Sequence, residues 1–213
     1  CVDLFYVHRR DHNIEIEEVT ESLSNLIKKG KTKSIGYSEI APSSLKRASA
    51  IHHIAAVQSE YSLSTRAPEM GLVQACEELG TALVAFSPVG RTFLTDSPLS
   101  YDFAQTLDFT KVNPRFKQPN YDQNIKISDK FRKYSSDIGV ASATLSIAWL
   151  LAKSENIIPI PGTRSVKHLN ELAAAMEVDI TDRMMSEIES ILPLGWAYGD
   201  RYSDAQWIGP ERY

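Results

Sequence analysis

The feature that most constrains this chain is an alternation. A short apolar run, a polar turn and a helical pattern follow one another repeatedly along 213 residues. The runs fall at residues 2–7, 33–38, 55–58, 82–86 and 157–161. After the first, Ile16, Val19, Leu23, Leu26 and Ile27 recur at helical spacing until Gly30 stops them. Pro42 suits the first turn of the next helix, which carries Leu45, Ala48 and Ile51. Further helices are predicted over 69–79, 125–138 and 142–153. Two more carry Val166, Leu169 and Leu172, and Met185, Ile188 and Ile191. Strands alternating with helices make βαβ units and a parallel sheet. Their nearly all-apolar character predicts strands covered on both faces.

An open doubly wound sheet and a (β/α)8 TIM barrel both satisfy that rhythm. Two observations favour the barrel. Polar groups stand at or just past the strand ends, namely His8, Ser38, Gln58, Ser87 and the pair Gly162 and Thr163, and barrel sites are assembled from those ends. No glycine-rich dinucleotide fingerprint follows the first strand. Five units do not close an eight-stranded barrel. The chain also opens in mid-strand without an initiator Met. It is therefore expected to hold about strands 4–8 with their helices, lacking ~100 residues of a barrel of ~250. Such a portion would expose strand edges.

Composition narrows the function. The formal net charge is −4 and the basic residues form no stripe, which argues against nucleic acid and anionic membrane as partners. No stretch approaches the ~18 apolar residues that span a bilayer. Cys1 and Cys76 make no disulfide framework, so a reducing, cytoplasmic setting is expected. The length suits one domain, with 91–124 as a long, irregular loop and 195–213 as an aromatic C-terminal tail. A monomer or weak homo-oligomer is expected.

Five segments resemble, in order, those of the aldo-keto reductase superfamily. Residues 2–8 end in His8 as that family's fourth strand does. Residues 30–38 (Gly-Lys-Thr-Lys-Ser-Ile-Gly-Tyr-Ser), 58–62 (Gln-Ser-Glu-Tyr-Ser), 85–90 (Ala-Phe-Ser-Pro-Val-Gly) and 158–164 (Ile-Pro-Ile-Pro-Gly-Thr-Arg) resemble the next four motifs. Ser38 followed by Glu39, and Gly199-Asp200-Arg201-Tyr202, resemble the pyridoxal reductase-like and plant-type branch.

The resemblance implies an NADP-dependent oxidoreductase, with NADPH as cofactor and an aldehyde or ketone as substrate. His8 would donate a hydrogen bond toward the substrate carbonyl. Ser38 and Gln58 would grip the nicotinamide carboxamide, whose one acceptor and two donors suit a hydroxyl plus an amide. Glu39 stands where the family usually has Asn, and as a carboxylate it could only accept. Phe86 would stack on the nicotinamide ring. Ser87, Pro88, Val89, Gly90 and Arg91 would supply backbone N–H groups and one cation to the pyrophosphate. Gly162, Thr163, Arg164, Lys167 and His168 would hold the 2′-phosphate of NADP, with Glu171 near the adenine. Arg9 and Arg10 read as solvated loop charges.

The family's Tyr, Lys and Asp precede its fourth strand and match no position here. An alternative therefore stands beside the reductase: a truncated, non-catalytic NADP(H)-binding barrel acting as a regulatory or partner-binding subunit. A sugar-phosphate barrel using residues 162–164 is a third reading.

Overall fold

The computed structural model describes all 213 residues. Five strands, β1 (Val2–Val7), β2 (Thr32–Ser38), β3 (Ala56–Glu60), β4 (Ala82–Phe86) and β5 (Ile157–Ile160), form one sheet in sequential order. Every neighbouring pair is parallel. Between them run α1 (Ile16–Lys28), α2 (Pro42–Ile51), α3 (Leu72–Leu79), α4 (Tyr101–Thr106), α5 (Asn120–Asp137) and α6 (Ser142–Leu151). The helices α7 (Val166–Ala173) and α8 (Asp182–Ile191) follow β5. No helix is long and apolar enough to cross a membrane.

The core lies on one face of the sheet. Ile35, Tyr37, Val57, Leu83, Ala85 and Ile157 pack with Ile16 and Leu23 of α1, Leu45 and Ala48 of α2, Cys76 of α3 and Trp149 of α6. Side chains alternate faces along a strand, so Ser38, Gln58, Val84, Phe86, Ile158 and Ile160 belong to the other face. Val84 and Phe86 there are half-buried, and Ile158 and Ile160 are exposed. Coverage on both faces, expected from the apolar strands, is thus found on one face only. Gly36 serves this second face: a Cβ would lie 2.6 Å from the Tyr6 ring and 2.7 Å from the Ala56 carbonyl oxygen. Its absence lets the Tyr6 ring lie across β2.

Two expected boundaries move. Gly71, at φ +137°, divides the helix expected over 69–79 into a 3-10 turn, Ala67–Met70, and α3. The segment 91–124, expected to be irregular, contains α4, two 3-10 turns and the first residues of α5. A small aromatic core of Phe93, Phe116 and Tyr121 organises it, with the Phe93 and Phe116 rings 4.7 Å apart. Aromatic packing of this kind leaves no helical period for a pattern search to find.

The tail crosses the carboxyl ends of the strands and is tied there at several points. The Trp196 indole donates to the Leu63 carbonyl at 2.7 Å, and the Glu211 amide donates to the Glu39 carbonyl at 2.8 Å.

Candidate active site

The parallel register sets the polar strand ends side by side. Ser38 and Gln58 are direct partners across β2 and β3, and Phe86 on β4 sits between Glu60 and Ile160. His8 is exposed just past the end of β1. One Arg9 nitrogen, Nη1, donates to the His8 carbonyl at 2.6 Å and to Ser38 Oγ at 3.0 Å, joining the ends of β1 and β2. The stem of Arg9 lies against Gly209, where a Cβ would come within 2.8 Å of it.

Arg10 corrects the expectation of a solvated charge. Its side chain is 7% exposed and pairs with Glu211 at 2.8 Å. Glu211 also accepts from the Ala41 amide at 2.6 Å and from Ser44 Oγ at 3.0 Å. The partner lies 201 residues away, so no local pattern could announce it.

Glu39 and Arg91 also sit differently from the expectation. Glu39 takes a left-handed conformation, φ +58°, and its carboxylate is buried. It accepts from the Glu60 amide at 2.8 Å and from Ser59 Oγ at 3.2 Å, and it pairs with Arg201 at 2.5 Å. Those partners leave it directed into the protein rather than toward a carboxamide. Arg91 pairs with the fully buried Glu60 at 2.5 Å, donates to the Arg201 carbonyl at 2.5 Å, and lies over the Phe109 ring. It is therefore not a free cation for a pyrophosphate.

Beneath the strand ends lies a buried charge cluster that sequence reasoning missed: Glu39, Glu60, Arg91, Arg115 and Arg201. Burial works against the Arg201 charge, but the bond to Glu39 and the charges of Glu39 and Glu60 outweigh it, holding that guanidinium above its ordinary value. Arg115 goes the other way. Burial pushes it down to about 10, Glu60 only partly opposes this, and Arg91 and Arg201 add to it. Glu39 and Arg91 were read as cofactor contacts, Glu60 and Arg201 lay inside the 58–62 and 199–202 segments, and only Arg115 had no hint in the sequence.

At the end of β4 the turn is built from left-handed residues. Ser87 has φ +50°, Gly90 +58° and Arg91 +53°. Non-glycine residues held there store strain, as positions in ligand-binding turns often do. Gly90 is required by space as well, because a Cβ would meet Ser64 Oγ at 2.7 Å. The Pro88 carbonyl is fixed by Ser146 of α6 at 2.9 Å, and Val89 packs beside the small cluster of α6 and α7.

Beyond β5, Gly162, Thr163 and Arg164 are exposed and lead into α7. Ser165 caps that helix by accepting from the His168 amide, and Thr163 Oγ1 accepts from the Ser165 amide. Lys167 and His168 are exposed in its first turn, with Glu171 3.7 Å from the Lys167 ammonium. The helix N-terminus and its cations thus face solvent together.

One rim therefore carries a histidine, a hydroxyl paired with an amide, an aromatic ring, a strained turn and a cationic helix start. The chain belongs to the aldo/keto reductase family, whose model matches residues 1–193. It is 36% identical over 205 residues to "Aldo-keto reductase yakc [NADP(+)]" of Schizosaccharomyces pombe, covering 95% of this chain and 60% of that protein. It is 38% identical over 201 residues to "Probable aldo-keto reductase 1" of Glycine max, covering 94% of this chain and 58% of the relative. The chain thus spans 60% or less of the length of these relatives.

Among solved structures, the thermostable aldo-keto reductase Tm1743, determined with the inhibitor epalrestat, matches at TM-score 0.68 and 25% identity, over 89% of this chain and 60% of that one. The glycerol dehydrogenase AKR11B4 from Gluconobacter oxydans matches at TM-score 0.76 over 89% of this chain and 58% of that one. At 22% identity the second speaks for the fold alone. Both neighbours are longer than this chain, and the likeness shows a parallel α/β sheet of the TIM-barrel class.

Proposed function

We propose that these residues form strands 4–8 and the C-terminal tail of a (β/α)8 barrel that reduces an aldehyde or ketone to an alcohol with NADPH. The observation that carries this reading is the register of the rim. Ser38 and Gln58 are adjacent partners, with His8 on one side and Phe86 on the other. A hydroxyl and an amide side by side match a carboxamide in donors and acceptors, so the residues present fit the cofactor.

When bound, NADPH supplies the hydride. The groups present here bind and orient the reactants, and the proton that completes the alcohol comes from the family's Tyr, which matches no position in these residues. Ser38 and Gln58 fix which ring face meets the substrate, and Phe86 backs that ring. His8 donates to the carbonyl oxygen and lowers the cost of the charge that grows there. The turn 87–90 supports the pyrophosphate, while Arg164, Lys167 and His168 attract the 2′-phosphate and so favour NADPH over NADH. Glu39 and Arg91 contribute from below, by holding the rim in place through the buried cluster.

The test is steady-state NADPH oxidation by the full-length protein against a panel of aldehydes and ketones, with His8→Gln in parallel. Carbonyl-dependent turnover that falls steeply in the variant supports the reading. Tight NADPH binding with no turnover on any carbonyl would overturn it.

A further inference from the structure

Behind the rim, between the loop 64–70 and the tail, lies a cleft of about 360 Å³. Its walls include Arg115, Arg201 and Arg212, together with Asp200. Arg115 and Arg201 are themselves buried, their side chains 9% and 8% exposed. Arg115 Nη1 is held by Thr65 Oγ1 at 2.7 Å. Arg201 Nη1 is buried with no hydrogen-bond acceptor, and a Glu60 carboxylate oxygen lies 3.7 Å away.

The cluster holds three guanidinium groups against two carboxylates, one cation in excess. A buried charge without a counter-ion is costly, and the cost falls when an anion reaches it. Burial is what chiefly depresses Arg115, and the neighbouring Arg91 and Arg201 charges add to it. Asp200 adds a third carboxylate and Arg212 a fourth guanidinium, so one cation remains in excess. Asp200 accepts from the Arg201 amide at 2.6 Å and from the Trp207 indole at 2.9 Å, and Glu211 is committed to Arg10 and the Ala41 amide.

We infer that this cleft binds a small phosphate-bearing molecule, its oxyanion seated between Arg115 Nη1, Arg201 Nη1 and the Arg212 guanidinium. Arg212 stands ready at the mouth, 4.5 Å over the Trp207 ring. The cleft volume falls within the range of small-molecule sites, so there is room for an organic body beyond the phosphate. The inference does not depend on where NADPH binds.

The experiment titrates the full-length protein with inorganic phosphate and with phenyl phosphate by calorimetry, at constant ionic strength set with chloride. Two exposed positions serve as variants. Asp200→Asn keeps the oxygen facing the Arg201 amide and removes one negative charge, so phosphate binding should tighten by about tenfold. Arg212→Ala should weaken it by about fivefold. Arg164→Ala with Lys167→Ala should leave it unchanged. Phenyl phosphate binding more tightly than inorganic phosphate identifies an organic phosphate as the ligand, and equal binding identifies the free ion. No saturable binding overturns the inference. So does binding that ignores Asp200 and Arg212, or binding lost with Arg164 and Lys167, which would place the phosphate at α7.

Discussion

Arg201 and Glu39 meet at 2.5 Å with both side chains shielded from water, one from the tail and the other from the first residue past β2. The pair joins two segments that share no secondary structure and holds the left-handed turn at Glu39 beside the rim.

Removing one partner leaves the other charge buried alone. Arg201→Ala or Glu39→Ala should therefore cost about 3–5 kcal/mol of unfolding free energy. Urea denaturation measures this, and a double-mutant cycle should show strong coupling between the two sites. Replacing both residues by apolar ones of similar volume should cost less than either single change. A midpoint unmoved by Arg201→Ala would show that the pair does not hold the tail.

Glu211 forms a second clasp. Glu211→Ala strands Arg10, whose Nε is already buried without a partner, and frees the Ala41 amide. The expected loss is about 2–4 kcal/mol. Hydrogen exchange at Ala41 should accelerate in step with the loss of stability, whereas the amide of Leu145 in α6 should respond only through global unfolding.

On the proposed reading, Arg164→Ala combined with Lys167→Ala weakens NADPH binding far more than NADH binding, because only the former carries a 2′-phosphate. Fluorescence titration with both cofactors checks it, and equal losses would remove the phosphate from α7. His8→Gln should lower kcat by about 10²–10⁴-fold while leaving NADPH affinity within a small factor of the parent.

Burial pushes the Cys76 thiol up to about 12 from an ordinary 9.0, and burial likewise raises the Tyr213 hydroxyl to about 12 from 10.0. Both groups bind their protons more tightly folded than unfolded. Their contribution to stability is whole below pH 9 and is lost as pH rises through about 12. Denaturation midpoints should thus fall steeply between pH 9 and 11, and less so in Cys76→Ala. At pH 8 a thiol reagent should modify Cys1 and spare Cys76 until the protein unfolds.

The strands and most helices were legible because apolar period and breakers such as Gly30 are local signals. The rim residues were legible for the same reason, since each stands at the end of a run. What stayed hidden was carried by distance or by packing without period. Arg10 looks solvated until the tail supplies Glu211, and Glu39 looks available until Arg201 arrives. Segment 91–124 looked irregular because its order comes from aromatic rings packed at tilted angles. Arg115 carried no signal at all, since an arginine after a proline in a polar stretch reads as surface.

The tail clasp has a consequence for the order in which the molecule can be completed. The βα units close loops of a few dozen residues each, so they can pair as they leave the ribosome. The contact of Arg10 with Glu211 closes a loop of 201 residues, and loops of that size form late because so much chain must already be in place. Until residues 196–213 are made and docked, Arg10 and Glu39 lack their counter-charges, and the rim that carries Ser38 and Gln58 lacks its backing. Translation that stops short of the tail leaves these charges unmatched, and the quality-control machinery of the cell meets a chain whose strands are formed but whose site is not.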